Sequence, residues 1–384
     1  MANTWDVIVV GLGAMGSATL HQLAHRGHRV LGIEQFSPGH ARGSSHGKSR
    51  IIREAYFEDP RYVPLVQRAY QLWHELEVES GLTVFQQTGG LMLGAADSDV
   101  VSGARLSAAL HGLSHELLSR EQVQQRHPAF RLRPSDVAVF EPRAGVLAPE
   151  RAITAFTTLA ESHGATVLRD EAMLSWRAVG DGVEVTTSKA TYRANRLVLT
   201  VGAWAGQVFA ELQLPFVVQR NVLYWFDPIA NAAHFLPQRL PIFIHEIRPE
   251  LAWYGFPDTG DGMKLALHHH GETSDPDALN RSVSDEEIAF VREIIDEYMP
   301  DANGALRETS VCMYTNLPDD HFIIDVHPEH PAVIVASPCS GHGFKFSSAI
   351  GEVLADMATS TPVAFDTSPF SIARFAKARA SAPL

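Results

Sequence analysis

DVIVVGLGAMGSATLHQLAHRGHRVLGIE, residues 6 to 34, decides the architecture. DVIVV reads as a buried strand, and GLGAMG follows it. Ala18, Leu20, Leu23 and Ala24 then mark one apolar helix face. HRVLGIE gives a second strand ending at Glu34, which completes a βαβ unit. Gly11, Gly13 and Gly16 fall on the dinucleotide fingerprint. Gly11 permits the tight turn, Gly13 lets backbone approach a pyrophosphate, and Gly16 lets the helix pack close to the strand. The helix start offers unpaired N–H groups and a favourable dipole to that phosphate. Glu34 stands where a carboxylate accepts hydrogen bonds from ribose hydroxyls. A lone GxGxxG is weak, but strand, helix, strand and acid in this order make dinucleotide binding the expectation. The motif does not choose between FAD and NAD.

The totals narrow the class. A chain of 384 residues exceeds the usual size of a single core, so two lobes are expected. With 45% hydrophobic and 20% charged residues, the composition is that of an ordinary globular protein. A formal charge of −13 argues against a general nucleic-acid binder. The run VIVVGLGAMG is broken by glycines and lacks a basic leader, which makes it a poor signal peptide. No apolar run approaches the length of a membrane span. The expectation is a cytoplasmic protein that engages neither nucleic acid nor membrane. Two cysteines, Cys312 and Cys339, are too few for a disulfide framework and form no CxxC pair.

Beyond the first unit, SPGHARGSSHGKSRIIREAY (37 to 56) is too polar for a core and too long for an idle turn. Helices are expected at YVPLVQRAYQLWHELEVES (62 to 80), in SREQVQQRHPAF (119 to 130), where the proline closes it, and from Pro149, a residue suited to a first turn. SVSDEEIAFVREIIDEYM (282 to 299) carries Ser284 and Glu287 at capping-box spacing. FQQTGGLMLG reads as strand, turn, strand. TVLRDEAML, GVEVTTSKATY and ANRLVLTVGAWAG form a run of strands, and residues 217 to 270 are dominated by strand-like segments. VIVAS, GHGF and SSAIGEVLADMA close the chain as strand, glycine turn and helix. No repeat and no low-complexity linker marks a boundary, so the nucleotide lobe is expected to draw on both ends of the chain.

Basic side chains gather in three motifs. HGKSRIIR holds His46, Lys48, Arg50 and Arg53. A solvated patch explains it as well as a site does. If the segment is helical, Arg50 and Arg53 share one side, and an arginine fork suits a carboxylate. In MKLALHHH the strand period of two puts Lys264 and His268 on one face, which an ordinary half-exposed strand also explains. CSGHGFKFSSAIGEVL sets glycines, His342 and Lys345 ahead of a helix, where backbone amides could hold an anion.

With these segments collected, the chain resembles the family of monomeric sarcosine oxidase and N-methyltryptophan oxidase, FAD-dependent amine oxidases. The resemblance runs through GLGAMG, SSHGKSRIIREAY, YVPLVQRAYQLW, YGFP, MKLALH, CMYTNLPDDHFIID and SGHGFKFSSAIGEVL, nearly the whole length. It implies an α/β protein, with a Rossmann-type FAD-binding domain interleaved with a catalytic domain built on a large mixed β-sheet. The FAD domain is expected over residues 1–80, 145–215 and 310–384, and the catalytic domain over 81–144 and 216–309. The implied reaction oxidises a secondary amine with O₂ and releases hydrogen peroxide. From an N-methyl amino acid, hydrolysis of the imine then gives formaldehyde.

Residue by residue, the resemblance makes Arg53 and Lys345 the clamp for the substrate carboxylate. His46 and Arg50 lie near the flavin ring, Tyr254 and His268 line the pocket, and Lys264 serves the reaction with oxygen. Cys312 is the covalent flavin tether with Tyr314 beside it, and Arg42, Ser45, Gly341 and Gly343 join the cofactor contacts. VGAWAG (201 to 206) resembles a second dinucleotide-contacting turn. Lys48, Glu54 and Phe57 stand where the family carries an acid, a histidine and a glycine. No metal is implied, and the expected protein is a monomer acting on a small amine and O₂. Alternatives are a bulkier N-methyl or cyclic imino acid substrate, a flavin dehydrogenase with another acceptor, and a non-catalytic dinucleotide-binding scaffold.

Overall fold

The computed structural model describes residues 4–37 and 40–375. Its first strand, Thr4–Val10, pairs in parallel with Val30–Ile33 on one edge and with Thr191–Leu199 on the other. Val30–Ile33 extends the parallel set to Thr166–Leu168, and the last residues of Thr191–Leu199 extend it to Val333–Ser337. The connecting helix, Ala14–His25, packs on the helices Pro149–Ser162 and Ser347–Ala358, so the two ends of the chain share one layer. This is the expected Rossmann-type lobe. Met173–Val179 and Gly182–Thr187 join it as an antiparallel flap. TVLRDEAML is therefore two strands, Thr166–Leu168 and the start of Met173–Val179, rather than one. The break falls at Asp170, which adopts positive φ.

The second sheet is mixed and has eight strands. Leu306–Asn316, Val217–Phe226, Met263–His268, Leu251–Phe256 and Ile242–Arg248 run antiparallel in that order. Ile242–Arg248 then pairs in parallel with Gly90–Ala95, and Asp136–Glu141 and Glu116–Ser119 complete the sheet. The boundary expected at residue 310 falls inside the strand Leu306–Asn316. Among the described residues no helix is long and apolar enough to cross a membrane.

The two faces of this sheet differ because side chains alternate along a strand. Val222, Tyr224, Phe226, Trp253, Met263, Leu265 and Val311 enter a dry core with Val291, Ile294 and Ile295 of the helix Asp285–Tyr298. That helix starts at the expected capping box, where Glu287 N–H donates to Ser284 Oγ at 3.2 Å and Ser284 N–H to Glu287 Oε2 at 2.9 Å. The opposite face carries Leu223, Trp225, Ala266 and Cys312, with Tyr254 and Tyr314 against them.

One helical reading holds and one is corrected. The helix expected in 119–130 and closed by its proline spans Arg120–Arg126. Pro128 disfavours helical backbone at His127, which leaves the helix at φ −129°. HGKSRIIR is not helical. Arg50–Ile52 is a strand pairing with Gly145–Leu147, because Ile51 and Ile52 are extended against another apolar strand.

Candidate active site

The parallel strands of the first lobe end on a cavity of about 460 Å³, as ligand sites in open α/β sheets do. Gly11 turns the chain there at φ +86°, where a Cβ would sit 2.6 Å from the Thr200 carbonyl oxygen. A Cβ on Gly16 would lie 1.9 Å from the Gly11 oxygen, so the helix can approach only without one. Glu34 is buried and accepts from Leu12 N at 2.7 Å and from Phe36 N at 3.0 Å. Ser45 Oγ accepts from Ala14 N at 3.3 Å. The VGAWAG turn closes the rim, with the Trp204 indole donating to Asp277 at 2.8 Å. A bare glycine turn at a helix start beside a buried carboxylate fits a dinucleotide.

One continuous cavity joins this cradle to Arg50, Arg53, Tyr254, His268, Cys312, Tyr314, Gly341, Gly343 and Lys345. The sheet supplies four of them from three strands. Ala266 pairs with Tyr254 and Leu223, and Cys312 pairs with Asn221, which brings Lys264, His268, Tyr254, Cys312 and Tyr314 to one face. Tyr254 and Tyr314 hydroxyls lie 3.2 Å apart, and Asn221 Nδ2 donates to Tyr254 at 3.4 Å. Lys264 and His46 lie behind the cavity wall. Arg42 is exposed over the Phe36 ring, outside the lining. Lys48, Glu54 and Phe57 do not line the cavity either.

Burial disfavours charge on several basic groups here. Burial, then the charge of Arg50, lowers His46 to about 3. Burial lowers His342 to about 3 and Lys345 to about 7, with Arg53 adding to the effect on Lys345. His268 is pushed well down by burial and then by His269 and His342. His342 Nε2 faces the Asp320 carbonyl oxygen at 2.9 Å and so carries the hydrogen, leaving Nδ1 to accept from the Tyr56 hydroxyl. Lys264 is also driven well below the ordinary lysine value, first by burial and then by Arg50. Yet its Nζ faces Gly47 O at 2.6 Å, Ser49 O at 2.8 Å and Ser49 Oγ at 3.1 Å, three acceptors for an ammonium's three donors. Gly47, at φ +99°, gives the turn that presents its carbonyl, and a Cβ there would strike Leu223 at 2.5 Å.

Three partners went unread in the sequence. Glu58 accepts from Arg53 Nη2 with both oxygens, at 2.7 and 2.6 Å. Glu150 Oε1 accepts from Gly47 N at 2.7 Å and Lys48 N at 3.0 Å, fixing the loop beneath Lys264. Asn221 holds Tyr254. Glu58 could have been found from a rule: a buried arginine needs a counter-ion, and an acid lies five residues on. Arg53 retains a buried Nε with no partner, and Lys345 Nζ donates to His342 O at 2.7 Å. The two thiols differ. Cys312 is buried among Leu223, Trp225 and Ala266. Cys339 sits in the glycine turn, where burial pushes its thiol to about 11.

The family described as FAD dependent oxidoreductase (DAO) matches residues 6–357. The chain is 43% identical to a monomeric sarcosine oxidase of Streptomyces avermitilis, over 99% of this chain and 100% of that protein. It is 35% identical to an N-methyl-L-tryptophan oxidase of Yersinia pestis, over 97% and 99% of the two. Among solved structures, NikD, an amino acid oxidase essential for nikkomycin biosynthesis, superposes with a TM-score of 0.83 at 24% identity, covering 96% of this chain and 98% of that one.

Proposed function

We propose that this chain, which belongs to the FAD-dependent oxidoreductase family and is closely related to the sarcosine and N-methyltryptophan oxidases, oxidises an N-methyl amino acid of the sarcosine type. The acceptor is O₂, and the products are the demethylated amino acid, formaldehyde and hydrogen peroxide. One observation carries the reading: the dinucleotide cradle and the pair Arg53 and Lys345 open on the same cavity. The protein acts as a cytoplasmic monomer.

FAD, when bound, accepts two electrons from the amine and passes them to O₂. Gly11, Gly13, Glu34 and Ser45 would hold its dinucleotide part. Arg53 and Lys345 bind the substrate carboxylate, which fixes the position of the N-methyl group. Tyr254 and His268 wall the pocket. A secondary amine gives up hydride only when uncharged. The surroundings that strip protons from His46, His268 and His342 act on a bound ammonium in the same direction. Arg50 and Lys264 favour negative charge that develops on the ring side of the site. Lys48, Glu54 and Phe57 lie off the cavity lining, so these departures leave its wall unchanged.

Peroxide production with sarcosine, N-methyltryptophan, other N-methyl amino acids, proline and pipecolate tests the substrate class. Sarcosine is expected to give the highest kcat/KM. A preference for proline or pipecolate, or substrate reduction of the flavin without reoxidation in air, would overturn the reading.

Cys312 is the proposed tether: its sulfur would take the place of one hydrogen on the 8α-carbon of the flavin, the two protons going to solvent and the two electrons to O₂. Cys312 and Cys339 both line the cavity, and Cys312 is the one on the sheet face with Tyr254 and Tyr314. After acid denaturation, flavin should stay with the wild-type and Cys339→Ala chains and leave the Cys312→Ala chain. Complete release from flavin-loaded wild type would return Cys312 to a packing role.

A further inference from the structure

Four potential metal-binding side chains converge far from the cavity. His21 and His25 lie one turn apart on the helix Ala14–His25, Glu79 is near the end of Val63–Ser80, and His163 caps Pro149–Ser162. His21 Nε2 is 3.2 Å from Glu79 Oε2, His163 Nε2 is 2.7 Å from Glu79 Oε1, and His25 Nδ1 is 3.5 Å from the same oxygen. One ligating atom from each of the four lies within 4.8 Å of all the others. We infer that these residues form a Zn²⁺ site that clamps three helices of the first lobe.

The donor set decides the chemistry. Three imidazoles and one carboxylate suit a borderline divalent ion, whereas Ca²⁺ and Mg²⁺ seek oxygen. Tetrahedral bonds of about 2.0–2.1 Å place ligand atoms roughly 3.4 Å apart. The widest separation here, 4.8 Å, needs closing by about 1.4 Å, within reach of His25 and His163, which are both exposed. His21 is the anchor. It is buried, and its Nε2 faces Glu79 in the middle of the cluster.

The fold supplies an independent reason for a cation. The C-terminal ends of three helices meet here, and each carries partial negative charge. Glu79 adds a full negative charge. The adjacent cation, Arg26, is committed to Asp356 at 2.6 Å. A divalent ion would balance the charge at this spot. His21 and His25 stand 7 and 11 residues beyond Ala14, so the site lies roughly 10–17 Å along the helix from the end that faces the cofactor cradle. Its role is therefore to fix the helix rather than to take part in the reaction.

Chelator-treated, desalted holoenzyme titrated with ZnCl₂ in a calorimeter tests the site, with thermal unfolding measured in parallel. The expected result is one Zn²⁺ per chain and a rise of a few degrees in Tm. His25→Ala and His163→Ala should each weaken binding at least tenfold, scaled on losses seen for metal-supporting residues. His111→Ala, an exposed imidazole on the helix Asp99–His111, should bind as wild type does. Because both ligand substitutions are at exposed positions, retained flavin absorbance in the variants will show that they fold. No stoichiometric binding, or wild-type affinity in both the His25 and His163 variants, overturns the site and leaves Glu79 as an ion-pair partner for the histidines.

Discussion

Two cationic groups line or back the same cavity, and they are neutralised in different ways. Arg53 and Lys345 share a carboxylate environment, for Glu58 grips Arg53 with both oxygens. Arg50 and Lys264 have no carboxylate in hydrogen-bonding contact among the described residues. Arg50 donates to Ser44 O at 2.7 Å and Ser49 O at 2.8 Å, while Lys264 faces Gly47 and Ser49 oxygens. A cation already balanced can add a preformed anion at modest gain, which suits reversible binding of a carboxylate. A cation held on neutral dipoles keeps its field for charge that develops later. The difference separates a binding pair from a pair that acts on the reaction.

The largest expected effect comes from the second pair. Lys264→Met removes the amine while keeping most of the buried volume. Reoxidation of the reduced enzyme by O₂ should slow by about 10²–10³-fold, the scale for losing one preorganised charge donor. Reduction by amine under anaerobic conditions should change much less. Stopped-flow traces in which both half-reactions fall equally would abolish the distinction between the two cationic groups.

A smaller effect is expected from the binding pair. Lys345→Met should weaken a carboxylate inhibitor by about 1–3 kcal/mol, the scale of a charged hydrogen bond. Arg53→Ala should weaken it comparably, with an added loss of stability because Glu58 is left without its partner. Inhibitor dissociation constants unchanged in both variants would remove the carboxylate clamp.

The same contrast explains what could be read from the sequence. The cradle is local: Gly11, Gly13, Gly16 and Glu34 lie within one βαβ unit, so spacing alone exposes it. Five strands of the large sheet, Gly90–Ala95, Val217–Phe226, Ile242–Arg248, Leu251–Phe256 and Met263–His268, are legible too, but the pairing that sets Cys312 opposite Asn221 and Tyr254 opposite Ala266 joins distant segments. Asp136–Glu141 escaped notice because it is flanked by strands on both sides and its buried positions do not alternate. Asp99–His111 escaped because Ala104, Ser107 and Ala108 give its buried face little apolar contrast. HQLAH shows two histidines a turn apart, yet only folding adds Glu79 and His163.

The last expected effect is the smallest at neutral pH and grows with alkalinity. Lys345 titrates near 7 in the free site because burial and then Arg53 disfavour its charge. A bound carboxylate favours the charged form and raises that value. Below pH 7 the lysine is charged with or without ligand, so affinity for acetate should be flat. Above pH 7 the free lysine is neutral and binding must take up a proton. Affinity should then fall about tenfold per pH unit, until the pKa of the complex is reached. Arg53 stays charged throughout, so some affinity remains. Of the titratable groups around Arg53 in the cavity lining, His342 and His268 are neutral across this range and Glu58 is ionised, so Lys345 is the one expected to set the slope. Acetate has no amine of its own to titrate, which isolates the protein's contribution. Lys345→Met should bind more weakly at pH 6 but show no slope from pH 6 to 9. If that variant keeps the wild-type slope, the proton belongs to another group and the two cationic groups are not divided in this way.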